Sequence, residues 1–141
     1  MPFGLKRTDL QKIAQAKLDD AVLLYDNRRF SNAYYLAGYA VEIGLKACTA
    51  RSILAEVIPD KSFIDSIYKH DLPKLVGTAG LLRQLQDRQK SDPNFAANWA
   101  LVAQWGPEKR YEDTDGYTAQ ITLQAIGDPS SGVFPWIRTY W

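Results

Sequence analysis

Apolar residues recur at steps of three and four along most of this chain, and no segment alternates apolar with polar positions over the length of a strand. Leu10, Ile13, Ala14, Ala21, Leu24 and Tyr25 fall on one side of a first predicted helix, with Lys17 along its edge. Thr8-Asp9-Leu10-Gln11 has the spacing of a capping box, which makes Thr8 the N-cap and Gln11 the third helical residue. Asp26-Asn27 is a stop. The link to the next helical pattern is very short, so the two helices are expected to pack antiparallel.

The second pattern, NAYYLAGYAVEIGLKACTA from Asn32 to Ala50, is apolar on almost every side. Ala33, Ala37, Ala40, Gly44 and Ala47 make a stripe of small side chains that lets another helix approach closely. Tyr34, Val41, Leu45 and Cys48 adjoin it, and Leu36 and Ile43 widen it on the other side. Polarity is confined to one remaining stripe, Tyr35, Tyr39, Glu42 and Lys46. A helix of this kind is predicted to be the central and most buried one.

Pro59-Asp60 breaks the chain, and Ser62 to Lys69 reads as a short helix. His70-Asp71-Leu72-Pro73 opens another, with Asp71 as cap and Pro73 in the first turn. Gly77 and Gly80 interrupt before Leu81 to Lys90. Asp92-Pro93 restarts a helix whose Phe95, Trp99, Val102 and Trp105 step along one face, ended by Gly106-Pro107. A charged loop from Glu108 to Gly116 leads to a helix over Tyr117 to Ile126, closed by Gly127 as a left-handed cap. The tail GVFPWIRTYW is expected to pack back on the bundle. The expected fold is all-α, a single domain over residues 1–141 with four or five main helices.

Composition narrows the chemistry. Hydrophobic residues form 46% of the chain and charged residues 23%, so a core can form without disulfides or metals. A net charge of +1 disfavours a broad footprint for duplex DNA or a membrane surface. No apolar run approaches the roughly 18 residues of a membrane span, and the start does not read as a signal peptide; a cytoplasmic protein is expected. One cysteine and one histidine rule out an intrachain disulfide and a structural zinc site. Cys48 reads as a buried small hydrophobe. HExxH, CxxC and Gly-rich phosphate loops are absent, so no metal and no cofactor is expected.

Four places could carry function. Glu42 and Lys46 stand i to i+4 with the acid first. They are either an exposed ion pair or a charged pair projecting into a cleft or dimer interface between Tyr35 and Tyr39. Arg110-Tyr111 can hold a phosphate and stack on a base, or Arg110 can simply pair with a loop carboxylate. Glu108, Glu112, Asp113 and Asp115 miss the calcium-loop spacing and read as a solvated loop. His70 reads as a structural residue at a helix start.

The run AYYLAGYAVEIGLKA, then HDLPKL, a later Trp and Arg-Tyr, and the closing GVFPWIRTYW resemble the HEPN superfamily over nearly the whole chain. The resemblance implies an up-and-down helical bundle that pairs as a homodimer. Its members include ribonuclease toxins and defence proteins, often encoded beside a small nucleotidyltransferase, and modules that bind nucleotides or other ligands without cleavage. Catalytic members carry an Arg followed, after four to six residues, by a His. Here no arginine stands at that distance before His70, and no histidine follows Arg110. The resemblance places Glu42 and Lys46 in the signature of the second helix, facing a polar groove. The expectation is therefore a non-catalytic HEPN-like homodimer, possessing no catalytic residues. It would bind a nucleotide, an RNA segment or a partner such as a nucleotidyltransferase in a toxin–antitoxin or defence system. Tyr35, Tyr39, Glu42, Lys46, Arg110 and Tyr111 would form the site. The alternative is a ribonuclease with an atypical site at Arg110, Tyr111, Glu42 and Lys46. A third reading is a structural partner that neutralises the nucleotidyltransferase.

Overall fold

The computed structural model describes residues 4–141, and these contain eight α-helices, one short 3-10 helix and no strand. The helices are α1 (Arg7–Asp26), α2 (Phe30–Ser52), α3 (Lys61–Ile67), α4 (Leu72–Thr78), α5 (Leu82–Ser91), α6 (Pro93–Val102), α7 (Gly116–Gly127) and α8 (Val133–Arg138). The 3-10 helix covers Pro107–Tyr111, overlapping the first half of the stretch expected to be a charged loop. Five of the α-helices have ten residues or more, in line with the expected number of main helices. Among the described residues no helix is long and apolar enough to cross a membrane.

α2 occupies the centre. It touches α1, α4, α7, α8 and the 3-10 helix. Its small stripe of Ala33, Ala37, Ala40, Gly44 and Ala47 is buried throughout, as are Val41, Leu45 and Cys48 on the adjoining stripe. α1 lies along α2 after a turn at Asn27–Arg29, so the pair is antiparallel. Leu10, Ala14 and Ala21 face the core, whereas Ile13 is 42% exposed and lies off the buried face expected for it.

Helix starts follow the chemistry of short acids. Asp60, Asp71, Asp92 and Asp115 each accept a hydrogen bond from the backbone N–H three residues on. The capping box at Thr8 does not form. α1 begins two residues earlier, at Arg7 after Lys6 in extended backbone, and no side chain caps it. Thr8 is already helical, and its hydroxyl does not cap the free N–H groups of the first turn. Gly127 is not a left-handed cap either: it is the last residue of α7, and Asp128 takes the C-cap position. The glycine with left-handed backbone is Gly80, at φ +73°, between α4 and α5.

Asp92 does more than cap α6. Its Oδ2 accepts from the Ser131 hydroxyl at 2.9 Å and from Arg88, tying the α5–α6 corner to the start of α8. The Phe95 N–H first, then Ser131 and Arg88, hold its carboxyl below the usual aspartate range. A lowered carboxyl pKa stabilises the fold above the ordinary aspartate value, and that contribution is lost as pH falls through the lowered one.

Two glycines of α2 set how closely its neighbours approach. A Cβ at Gly38 would overlap the Trp105 indole, and one at Gly44 would stand 3.1 Å from Ile137 of α8. The indole is rigid and buried, whereas Ile137 presents the end of a side chain. Gly38→Ala is therefore expected to destabilise the protein by about 1–3 kcal/mol. Gly44→Ala should be near neutral, because about 1 kcal/mol of helix propensity offsets its tight contact. Urea denaturation of the two variants checks the order.

Candidate functional site

Steps of four, three and four residues place Tyr35, Tyr39, Glu42 and Lys46 along one line of α2. The two ends of that line meet different elements.

At the Tyr35 end, Trp105 follows α6 and lies flat where Gly38 has no side chain. This position brings the indole to 5.7 Å from the Tyr35 ring and 6.5 Å from the Tyr39 ring, and the two tyrosines meet edge-on at 5.9 Å. Among the described residues the buried Trp105 Nε1–H finds no acceptor. The 3-10 helix then supplies Arg110, whose guanidinium stacks 4.9 Å from the Tyr111 ring centre. Tyr111 and then Tyr35 raise the Arg110 pKa above the usual arginine value, so it stays cationic. Tyr111 is 79% exposed and Arg110 is exposed beside it. Burial, followed by the nearby Glu42 charge and Tyr35, pushes the Tyr39 phenol up.

At the other end Glu42 is only 3% exposed. Its Oε2 accepts from Lys46 Nζ at 3.2 Å, and its Oε1 meets His70 Nδ1 at 3.0 Å. Glu42–Lys46 is thus not a surface pair. His70 arrives from the turn between α3 and α4. Asp71 fixes that turn by capping α4, and the fully buried Leu72 and Leu75 seat α4 in the core. A carboxylate only accepts, so Nδ1 carries the hydrogen, and Nε2 of the half-exposed ring makes no hydrogen bond among the described residues. The arrangement holds one imidazole in a fixed orientation, with its free nitrogen available to a ligand.

The sequence expectation placed six residues at the site. Tyr35, Tyr39, Arg110 and Tyr111 come together at one end, and Glu42 and Lys46 pair at the other. The backbones of Tyr35 and Glu42 are separated by roughly 10 Å of helix at 1.5 Å per residue, so the two ends are not one point. His70, read as a helix-start residue, is in fact a partner of Glu42. Trp105 was read only as one position of an apolar helix face, and Gly38 was assigned to no stripe. A buried acid with two oxygens and one neighbouring lysine was the signal that a second donor had to exist.

The loop acids do not converge. Glu112 pairs with Lys109 at 3.1 Å and Asp115 caps α7. Among the described residues no group of three or more His, Cys, Asp and Glu side chains is placed to hold a metal ion. A pocket of about 240 Å³ opens beside Lys46, between Leu10, Thr49, Ile53, Ile67 and Tyr68. A wider groove of about 600 Å³ between α1 and α7 shares no residue with the α2 line. Cys48 is buried and its Sγ–H points to the Ile137 carbonyl, at 3.6 Å. Burial pushes its thiol up to about 12.

No family model matches the chain, and neither a curated protein nor a solved structure matches it. The likeness to HEPN proteins rests on the sequence motifs.

Two outcomes follow from the buried groups. Glu42→Ala strands the Lys46 ammonium and should destabilise the fold by about 3 kcal/mol, whereas Glu42→Leu with Lys46→Leu together should recover much of the loss. A double-mutant cycle in urea measures that coupling. Cys48 should resist a disulfide reagent at pH 8 in the folded protein and react at once in denaturant. Because its pKa is raised, its contribution to stability is complete below the ordinary thiol value and is lost as pH climbs from there toward 12.

Proposed function

We propose that this protein is a non-catalytic HEPN-like module that binds a nucleotide or a single-stranded RNA segment along the polar line of α2. The observation that carries the reading is the Arg110–Tyr111–Tyr35 group. It combines an exposed, permanently charged guanidinium, an exposed ring and a second aromatic surface behind them. Guanidinium and ring together suit a phosphate and a base. Roughly 10 Å further along α2, His70 offers its outer nitrogen to a hydroxyl or amide of the same ligand. The near-zero net charge of the chain implies modest, salt-sensitive affinity.

The Glu42–His70 contact favours a second reading, an atypical ribonuclease with His70 as its base. Cleavage requires a proton carrier and a cation at one phosphate. Arg110 and His70 belong to opposite ends of the line, and Lys46 is already engaged by Glu42. The separation supports binding without turnover.

The test uses two substitutions at exposed positions, Arg110→Ala and Tyr111→Ala. Titration of the full chain with a fluorescent twelve-nucleotide uridine oligomer and with fluorescent ATP should show about tenfold weaker binding for Arg110→Ala, the loss of a charge-assisted contact. A smaller loss is expected for Tyr111→Ala. Equal binding by wild type and both variants, or no binding by any of them, would sink the proposal. Metal-independent cleavage of the oligomer that vanishes in His70→Ala would install the ribonuclease instead.

A further inference from the structure

The groove between α1 and α7 is apolar inside and acidic around its edge. Val22, Tyr25, Leu123 and Pro129 supply the apolar lining, and Gln120, Gln124 and Asp128 the polar groups. It is an open feature of the surface. Val22 is 46% exposed, and Gln120, Gln124, Gly127 and Pro129 are exposed as well. A small-molecule site buries most of its ligand, so a groove of about 600 Å³ with this much open lining suits the side of a larger partner. The α7 residues that line it, 120–127, span about 12 Å at 1.5 Å per residue, roughly two turns. Tyr117, 70% exposed, stands three residues before Gln120 and lengthens the same face.

Charge decides the partner. The stretches that form the walls, residues 18–27 and 115–132, hold Asp19, Asp20, Asp26, Asp115 and Asp128 and no Lys, Arg or His. The chain as a whole stands at +1, so this acidity is local. Asp19 and Asp26 are exposed and stand three residues before Val22 and four after it, which puts them beside it on the helix surface. Asp128 Oδ1 accepts from the backbone N–H groups of Ser130 and Ser131, and its Oδ2 accepts no hydrogen bond among the described residues. The helix ends add to the same field. α1 and α7 both finish at the groove, and neither has a basic residue in its last turn. Their C-terminal carbonyls therefore present partial negative charge that no cation of the chain offsets from within the helix.

This field excludes several occupants. Nucleic acid and anionic lipid are repelled. A second copy docked by the same face would set acid against acid. What complements the groove is an apolar ridge flanked by cations. We propose that the α1–α7 groove docks an amphipathic helix of a partner protein, with apolar residues at i, i+4 and i+7 and Lys or Arg beside them. The apolar residues cover Val22, Leu123 and Pro129, and the cations meet Asp19, Asp26 and Asp128. The groove shares no residue with the α2 line, so this docking does not depend on the nucleotide reading, and either can fail without the other.

Fluorescence anisotropy of labelled peptides titrated with the full chain tests the proposal. The probe is a peptide of about eighteen residues, five turns of helix, with leucines at steps of three and four and lysines on either side of them. Wild type should bind it, and a scramble of the same composition should bind about tenfold more weakly or worse. Asp19→Lys with Asp26→Lys should weaken binding about tenfold or more, and should confer binding of the same peptide carrying Glu in place of every Lys. Val22→Gln should weaken binding several-fold through lost apolar contact. Glu56→Lys with Asp65→Lys makes the same change of net charge at exposed positions outside the groove and should have little effect. All these side chains are exposed, so circular dichroism should be unchanged. Failure of wild type to bind the lysine peptide overturns the proposal. So does equal binding of the scramble, or an equal loss in the Glu56 and Asp65 variant, either of which reduces the effect to net charge. Wild type that binds no peptide but forms dimers that Val22→Gln breaks would give the groove to a second copy instead.

Discussion

Nearly every feature of this fold depends on α2 being enclosed on almost all sides. A helix in that position offers no solvated face on which to keep charge, yet it carries Glu42. Burying a carboxylate is costly unless its oxygens are satisfied. Lys46, one turn on, satisfies one oxygen from within the helix. The second oxygen is satisfied from outside, by His70. The contact constrains the turn between α3 and α4, which the Asp71 cap and the buried Leu72 and Leu75 hold in register. One buried acid thereby joins a helix, a turn and an imidazole.

The opposite end of the same line follows a different logic. Gly38 removes a side chain so that Trp105 can lie against α2, and the indole in turn gathers Tyr35 and Tyr39. Because Trp105 and the 3-10 helix are joined by only Gly106, the seat of the indole also fixes where Arg110 emerges. A packing decision in the core thus positions an exposed cation and ring. Binding chemistry at this end comes from the surface, while the chemistry at Glu42 comes from the interior, and the line of α2 connects them.

Helix spacing and capping acids made most of the architecture legible. Asp71 and Asp92 announce their helices with a short acid next to or near a proline, and Phe95, Trp99 and Val102 are buried on one face as their spacing predicts, whereas α6 stops at Val102 and Trp105 is buried from the segment after it. The failures are local. Thr8 fits a capping box, but an extended Lys6 starts α1 two residues sooner. Gly127 suits a left-handed cap, yet it is the last residue of α7 and Asp128 is the cap. Tertiary contact between distant segments was least legible. His70 and Glu42 are 28 positions apart, and nothing local to either specifies the other. Gly38 drew no reading of its own because its significance lies in Trp105, far along the chain.

The central claim is that Glu42 fixes His70 through Nδ1 and leaves Nε2 free. Long-range nitrogen–proton correlation spectra of the imidazole measure this directly, and the chain has a single histidine to assign. The account predicts a hydrogen on Nδ1 in wild type, with that preference lost in Glu42→Ala. A neutral ring carrying its hydrogen on Nε2, with Nδ1 bare and indifferent to the Glu42 change, would contradict it.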